Sequence, residues 1–317
     1  MPLPIQETIS ELADCSKPLR SSRLTELSNL TSAELECLQQ SWPAIETRRR
    51  RQIAHRLIEL AEDDLELNFH SVLKYCLKDQ DSEVRRSAIE GLWENEEAAL
   101  IGPLVNLLER DSAEGVRAAA ATALGKFALL AEHRKLRSVH AARIQEALLA
   151  AFGDKNESTE VRRRALEAVA PLSLPAVKAA IREAHRSDSP GLRVSSIYAM
   201  GKNCDSAWLP TLLDELTSGD AEVRYEAAGA CGELEEPAAV PSLMDLVDDP
   251  DSDVRMAAIR ALGKIGGLQA KECLKHCLSS SNAAIRQTAE QAMKELEGRE
   301  SPLFSGWGSP VADHDWQ

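Results

Sequence analysis

The chain has 317 residues, of which 44% are hydrophobic and only 4% are aromatic, and its formal net charge is -14. A core with so few aromatic residues must be built from Ala, Leu, Val and Ile, which suits closely packed short helices better than a β-sandwich. The acidic excess opposes nucleic acid or an anionic membrane as the main partner. It is concentrated between Asp205 and Arg260, where 14 Asp and Glu stand against three Arg and no Lys.

The cysteines and the start of the chain indicate where the protein works. Seven cysteines, an odd number, are scattered along the sequence, which is typical of free thiols in a reducing compartment. The first ten residues lack the charged and then apolar pattern of a signal peptide. No run approaches the roughly 18 consecutive apolar residues that a membrane span needs. We therefore expect a cytoplasmic protein without a membrane span.

In chain order, residues 1–30 show no helical period and are expected to form a flexible N-terminal segment. The stretches from Thr31 to Trp42 and from Ile45 to Asp64 read as a degenerate helix pair. Terminal units of repeat proteins are atypical because they must cover the exposed end of the stack. This pair is therefore predicted to cap a repeat array that extends from residue 31 to residue 298.

A short pattern then recurs along the chain. An apolar residue and an Arg are followed by Ala or Ser three residues after the Arg and by an apolar residue seven after it. Successive arginines are 32, 45, 31, 31, 31 and 31 residues apart. We call these arginines the Arg column; its members are Arg85, Arg117, Arg162, Arg193, Arg224, Arg255 and Arg286. The recurring apolar and small positions are four residues apart, so they form one face of a helix.

Each of these helices, which we call helix B, is preceded by another apolar-periodic helix, helix A. Polar residues such as Asp81, Asp220 and Asp251 stand four before the Arg, where an N-cap is needed. The 45-residue gap inserts about 14 residues after Arg117. We expect this insertion to lengthen one helix B beyond Gly125 and to add a basic linker.

The repeat resembles the HEAT-repeat family, in the short bacterial form also found in phycobilisome-lyase-like proteins. The matching residues are Pro241, Leu243 and Leu246 of helix A, Asp251, Val254 and Arg255 of the turn, and Ala261, Leu262 and Gly263 of helix B. The resemblance covers roughly residues 65 to 298. It implies an all-α HEAT-type α-solenoid, a right-handed superhelix of about seven helix pairs plus the degenerate N-terminal cap. Function does not follow from such a fold, because repeat arrays serve many roles.

Several site types are disfavoured by the residue pattern. The resemblance to the HEAT family implies that the Arg column is structural, with each Arg bridging to an acidic residue in the turn of a neighbouring repeat. The alternative is that the arginines form a ladder that binds phosphate groups. Deoxyhypusine hydroxylases of this family bind iron through His-Glu dipeptides, but none of the seven His here precedes Glu. Cys273, His276 and Cys277 share one predicted helix, yet zinc would need a further ligand from elsewhere. No G-x-S-x-G or Gly-rich phosphate loop occurs. We therefore predict no metal, no cofactor and no catalysis.

The most informative surface follows from the helix register. The positions one and five residues after each Arg point away from the core face of helix B, and in HEAT arrays the B helices line the concave side. This surface is predicted to hold the partner-binding residues Arg163, Val194, Tyr198, Tyr225, Met256 and Arg260. Exposed Tyr and Met are typical of contact surfaces. The alternative is that these side chains pack on one another or on neighbouring helices.

Residues 299–317 form the second candidate. This predicted flexible tail carries Phe304, Trp307 and Trp316 among Gly, Ser, Pro and Asp, although flexible tails normally lack aromatic residues. We expect this tail to dock, either on its own solenoid or on a partner. The alternative is that it stays solvated.

The sequence therefore favours a scaffold or adaptor that binds another protein on the concave helix-B face. The alternative is an accessory subunit of a phycobilin-type chromophore lyase. A metal-dependent hydroxylase and a DNA-binding HEAT protein are less favoured, although the basic run from Arg48 to Arg51 keeps the latter open. The sequence does not name the partner.

Overall fold

A computed structural model describes residues 5–300, and every regular element among them is helical. The α-helices are α1 (Ile5–Ala13), α2 (Ser21–Leu24), α3 (Ser32–Ser41), α4 (Thr47–Asp63), α5 (His70–Cys76), α6 (Ser82–Gly91), α7 (Ile101–Arg110), α8 (Glu114–Glu132), α9 (Ser138–Gly153), α10 (Thr159–Val169), α11 (Pro175–His185), α12 (Pro190–Asn203), α13 (Leu209–Glu215), α14 (Ala221–Leu234), α15 (Val240–Asp245), α16 (Ser252–Ile265), α17 (Gly267–Cys277) and α18 (Ala283–Glu300). From α5 onward they form seven consecutive A and B pairs in the described part of the chain, as predicted.

The described residues form two compact units, which divide between Ala180 and Ile181. In the first unit, the B helices α6, α8 and α10 pack side by side, α4 lies against α6, and the A helices α7 and α9 are in contact. In the second unit, α12, α14, α16 and α18 form the row of B helices, while α15 contacts α17 in the A layer. Helices α8, α14 and α16 therefore bury their apolar faces between their own A helices and the neighbouring B helices of the same unit.

Small residues set the spacing between neighbouring B helices. A Cβ added to Gly232 would lie 2.9 Å from the Cα of Ala261, and one added to Gly201 would lie 2.7 Å from the Cα of Ala230. These distances leave no room for a methyl group, since the opposing atoms belong to the backbone of the next helix. Glycine is therefore required here for close packing.

The insertion and the N-terminal cap also agree with the sequence pattern. Helix α8 continues past Gly125 to Glu132, and residues 133–137 link it to α9. The predicted cap pair appears as α3 and α4, and Thr31 forms a capping box with Glu34. Residues 1–30, which we expected to be flexible, contain α1 and α2. Ile9 and Leu12 of α1, Leu24 of α2 and Leu27 in the 3-10 turn that follows α2 are buried.

The Arg column forms a structural ladder within each unit. Arg224 donates from Nε and Nη2 to the carboxylate of Asp249 at 2.7 and 2.9 Å, and from Nη1 to the Ser218 carbonyl at 2.8 Å. Arg85 binds Asp111 in the same bidentate way at 2.6 and 2.7 Å. Arg85, Arg117 and Arg224 thus tie their own turns to the turn of the next repeat, and Arg255 and Arg286 donate to carbonyls of their own turns, which favours the structural interpretation over the phosphate ladder.

The ladder predicts a pH-dependent contribution to stability. The hydrogen bond from Arg224 holds the pKa of Asp249 below its ordinary value, despite the opposing effect of burial. A lowered folded-state pKa stabilises the fold above the unfolded-state pKa, and this stabilisation is lost as the pH falls through the folded-state pKa. Asp249→Ala should lower the free energy of unfolding by about 1–3 kcal/mol at neutral pH, since it leaves Arg224 without its partner.

Urea denaturation across a pH series would check this prediction. The deficit of Asp249→Ala should stay constant at neutral pH and shrink below about pH 4, where carboxylates protonate. Asp248→Ala is the matched control, because Asp248 is exposed and has no ion pair within residues 5–300. An equal effect of both substitutions would contradict the ladder.

Candidate functional site

Three of the predicted contact residues line one cavity in the second unit. Tyr198 on α12, Tyr225 on α14 and Arg260 on α16 surround a space of about 230 Å³, which we call the Tyr groove. Tyr198 is 38% exposed and Tyr225 is 37% exposed, although the other large hydrophobic residues of the second unit are mostly buried. Tyr198, Tyr225 and Arg260 therefore converge on one space from three neighbouring B helices.

The floor of the Tyr groove consists of small residues on α14 and α16: Gly229, Ala230, Ala257 and Ala261. Gly229 differs from the packing glycines, because a Cβ added to it would meet nothing within 4 Å. It lies inside α14, where Gly is less favourable than Ala by about 0.5–1 kcal/mol. Packing within the described residues therefore does not require a glycine here, and the Gly229 backbone is exposed on the floor of the groove.

Lys202, Glu233 and Lys264 form a charged row along one side of the groove. Glu233 accepts from Lys264 at 2.7 Å and forms an ion pair with Lys202 at 3.4 Å. Burial alone would raise the pKa of Glu233, but the two lysines outweigh it and lower the pKa. Lys202 also lies 5.6 Å from the centre of the Tyr198 ring, within cation–π range. The row therefore lies against the Tyr198 ring, and its two lysines and one glutamate leave it with a net positive charge.

The remaining predicted contact residues do not line this cavity. Val194 is only 6% exposed, so it belongs to the packed interior and offers little surface to a partner. Met256 is half-buried on α16. Arg163 lies in the first unit, where it pairs with Glu160 at 3.4 Å. Gly229 and the charged row also line the groove, but the sequence analysis did not predict them as site residues. The sequence did contain one indication, because Gly229 occupies the same repeat position as Tyr198 and Arg260 and lies inside a predicted helix.

The tail candidates Phe304, Trp307 and Trp316 lie outside the described residues. Within residues 5–300, no group of three His, Cys, Asp or Glu side chains is arranged to hold a metal ion. Cys273 and Cys277 are both buried on α17, and His276 between them is exposed. None of the helices in this part of the chain is long and apolar enough to cross a membrane.

Comparison with known proteins identifies the repeat. The family model for HEAT repeats matches residues 71–143 and 209–294, which together are half of the chain. Yeast importin-beta is similar in structure at TM-score 0.56 and 12% identity, with 94% of this chain and 46% of the importin covered. A second importin-beta gives 0.52 and 13%, with coverage of 92% and 44%.

Human deoxyhypusine hydroxylase, solved in complex with glycerol, has 19% identity and TM-score 0.35, with coverage of 93% of this chain and 96% of the enzyme. The chain spans less than half the length of the importins, and at these identities the similarity concerns the fold alone. No curated protein sequence matches the chain.

Two glycine substitutions with opposite expected signs test the groove. Gly229→Ala should raise the free energy of unfolding by about 0.5–1 kcal/mol, because it improves helix propensity without meeting a neighbour. Gly232→Ala, three residues later on the same helix, should lower it by about 1–3 kcal/mol through overpacking against α16. Chemical denaturation measures both; a loss of stability in Gly229→Ala would show that the groove floor is closed.

Proposed function

Because this chain belongs to the HEAT-repeat family, whose repeats commonly mediate protein–protein interaction, we propose that it is a scaffold that binds a protein segment in the Tyr groove. The observation that carries the proposal is the combination of exposed Tyr198 and Tyr225 with the open Gly229 floor. Tyrosine supplies a large contact area at little entropic cost and is enriched at interfaces. A helix-interior glycine without a packing role lets a bound chain approach the backbone.

The chemistry of the groove favours a particular kind of segment. Its size suits one or two inserted side chains, and its walls offer tyrosine faces and the guanidinium of Arg260. Among the lining residues, Lys202, Arg260 and Lys264 outnumber Glu226 and Glu233. We therefore propose an extended peptide with an apolar or aromatic anchor and a neighbouring acidic residue as the preferred partner.

A peptide-display selection tests this function. Peptides enriched from a random library on the full chain should be rich in aromatic and acidic residues. Gly229→Phe should weaken their binding about tenfold or more, as filling a hot-spot pocket does. Fluorescence polarisation with synthetic peptides measures the dissociation constants.

Gly298→Phe is the matched control, since Gly298 is also helical and has nothing within 4 Å of an added Cβ. It should leave binding unchanged. Enriched peptides that bind equally well to Gly229→Phe would contradict the groove as the binding site. The alternative function, an accessory subunit of a chromophore lyase, stays a prediction, and a visible absorption band of the purified protein would support it.

The tail bearing Phe304, Trp307 and Trp316 is also proposed to occupy the Tyr groove when no partner is bound. Helix α18, which leads into it, lies next to α16, and α16 lies next to α14. Neighbouring helices are about 8–10 Å apart, and 17 extended residues span up to roughly 55–60 Å, so the tail reaches the groove. Asp313 and Asp315 stand beside Trp316 and match the proposed partner chemistry.

Ending the chain at residue 300 tests tail docking. Amide hydrogen exchange around Tyr198 and Tyr225 should become faster in the shortened chain, because a tethered segment protects its site at millimolar effective concentration. Exchange near Val105, in the first unit, serves as the internal reference. Unchanged exchange at the groove would reject tail docking and would leave the scaffold function intact.

A further inference from the structure

A second cavity, of about 510 Å³, lies in the first unit between α4 and the connection from α1 to α2. We call it the N-terminal cavity. Arg49 of α4 anchors the connection beside the cavity, because its Nη2 donates to the carbonyl oxygens of Asp14 and Lys17, both at 2.5 Å. The Arg49 side chain is 96% buried, and its Nε has no hydrogen-bond partner among the described residues. The connection is therefore held over the helix by a buried cation.

The part of α4 that faces this cavity consists almost entirely of hydrogen-bond donors. Arg48, Gln52, His55 and Arg56 follow one another at spacings of four, three and one, so they share one helical face. Lys17 extends from the connection on the opposite side. Donors therefore surround the cavity from two directions, which is the arrangement that an anion with several acceptor oxygens requires.

Four consecutive arginines at the start of α4 have different partners. Arg49 holds the carbonyls described above, Arg50 pairs with Asp79 at 3.1 Å, and Arg51 binds Asp81 at 2.8 and 2.6 Å. Arg48 has neither an ion pair nor a side-chain hydrogen bond within residues 5–300, and it is exposed at the cavity. Three of the four charges are thus used to assemble the fold, and one remains for a ligand.

The charge balance supports an anionic ligand although the whole chain carries -14. The lining contains Lys17, Arg48, Arg49 and Arg56 but only one carboxylate, Glu46. Nearby acids compensate part of this charge, because Asp14 lies 3.4 Å from Lys17 and Glu59 pairs with Arg56. Arg48 and Arg49 are left without carboxylate partners in the described part of the chain.

We propose that the N-terminal cavity binds a phosphate group carried by a larger molecule, with Arg48 as its principal cationic contact. A phosphate ester carries about -1.5 to -2 charges and three acceptor oxygens, which suits donors that converge from α4 and from Lys17 better than a planar carboxylate does. Volumes of about 300–1,000 Å³ are typical of ligand sites, so there is space beyond the phosphate itself. Pro18 and Leu19 offer apolar surface to the carrier.

Two thiols in the chain allow a direct test. Cys15 is exposed and lines the cavity, whereas exposed Cys204 lies in the second unit. The hydrogen bond with Glu46 raises the pKa of Cys15, and partial desolvation of the thiol raises the pKa of Cys204, so alkylation is followed at mildly alkaline pH. A ligand in the cavity should slow N-ethylmaleimide labelling of Cys15 while leaving Cys204 unchanged, as measured by peptide mass spectrometry.

The probes separate the possible sources of the phosphate. They are inorganic pyrophosphate, adenosine diphosphate and a capped phosphoserine pentapeptide, each compared with sodium chloride at equal ionic strength; the unphosphorylated peptide is the control for the last. Stronger protection by the phosphopeptide indicates a modified protein partner, and stronger protection by the nucleotide indicates a small-molecule ligand. Either result supports the phosphate site.

Arg48→Ala should raise the probe concentration that gives half protection about tenfold, which corresponds to the loss of one hydrogen bond between charged groups. Arg110→Ala is the matched control, since Arg110 is an exposed arginine of the same unit without an ion pair in residues 5–300. Both variants should keep the wild-type melting temperature. The proposal is overturned if no phosphate probe protects Cys15, if Cys204 is protected equally, or if Arg48→Ala retains full protection.

Discussion

The close approach of neighbouring B helices is the constraint on which this protein depends. One helix pair cannot bury its apolar face alone, so each repeat is stable only against its neighbours. Contacts such as Gly232 against Ala261 let the backbones meet, and bidentate pairs such as Arg224 with Asp249 fix the adjoining turns. Because this spacing repeats, side chains at equal register on successive helices lie side by side, which is how the Tyr groove arises.

This constraint explains how much of the fold was predictable. The 31-residue period and its columns reflect contacts between adjacent repeats, which are nearly local in sequence, so the helix pairs and their caps followed from it. The same register placed Tyr198, Tyr225 and Arg260 around one space. Val194 is almost fully buried although it shares this register, because helix register gives the direction of a side chain, whereas exposure depends on what packs over it.

The N-terminal cavity was beyond sequence reasoning for a different reason. Four consecutive arginines point in four directions around a helix, and the run alone does not show which of them has a partner. The partners of Arg49, the carbonyls of Asp14 and Lys17, lie on a segment without any repeat, and no column of the repeat shows that the carboxylate of Asp81 binds Arg51. The run therefore looked like one basic surface, whereas the structure divides it into three structural cations and Arg48.

Net charge then becomes a poor guide to individual sites in this chain. Several acids are neutralised by ion pairs within the fold, as Asp111 is by Arg85 and Asp249 by Arg224, and they contribute little to the potential at a distant cavity. Surface charges more than about 8–10 Å apart are largely screened at physiological salt. The acidic composition thus weighs against a long polyanion, which must pass over many exposed carboxylates. It weighs much less against a single phosphate, because that group meets only the charges around Arg48.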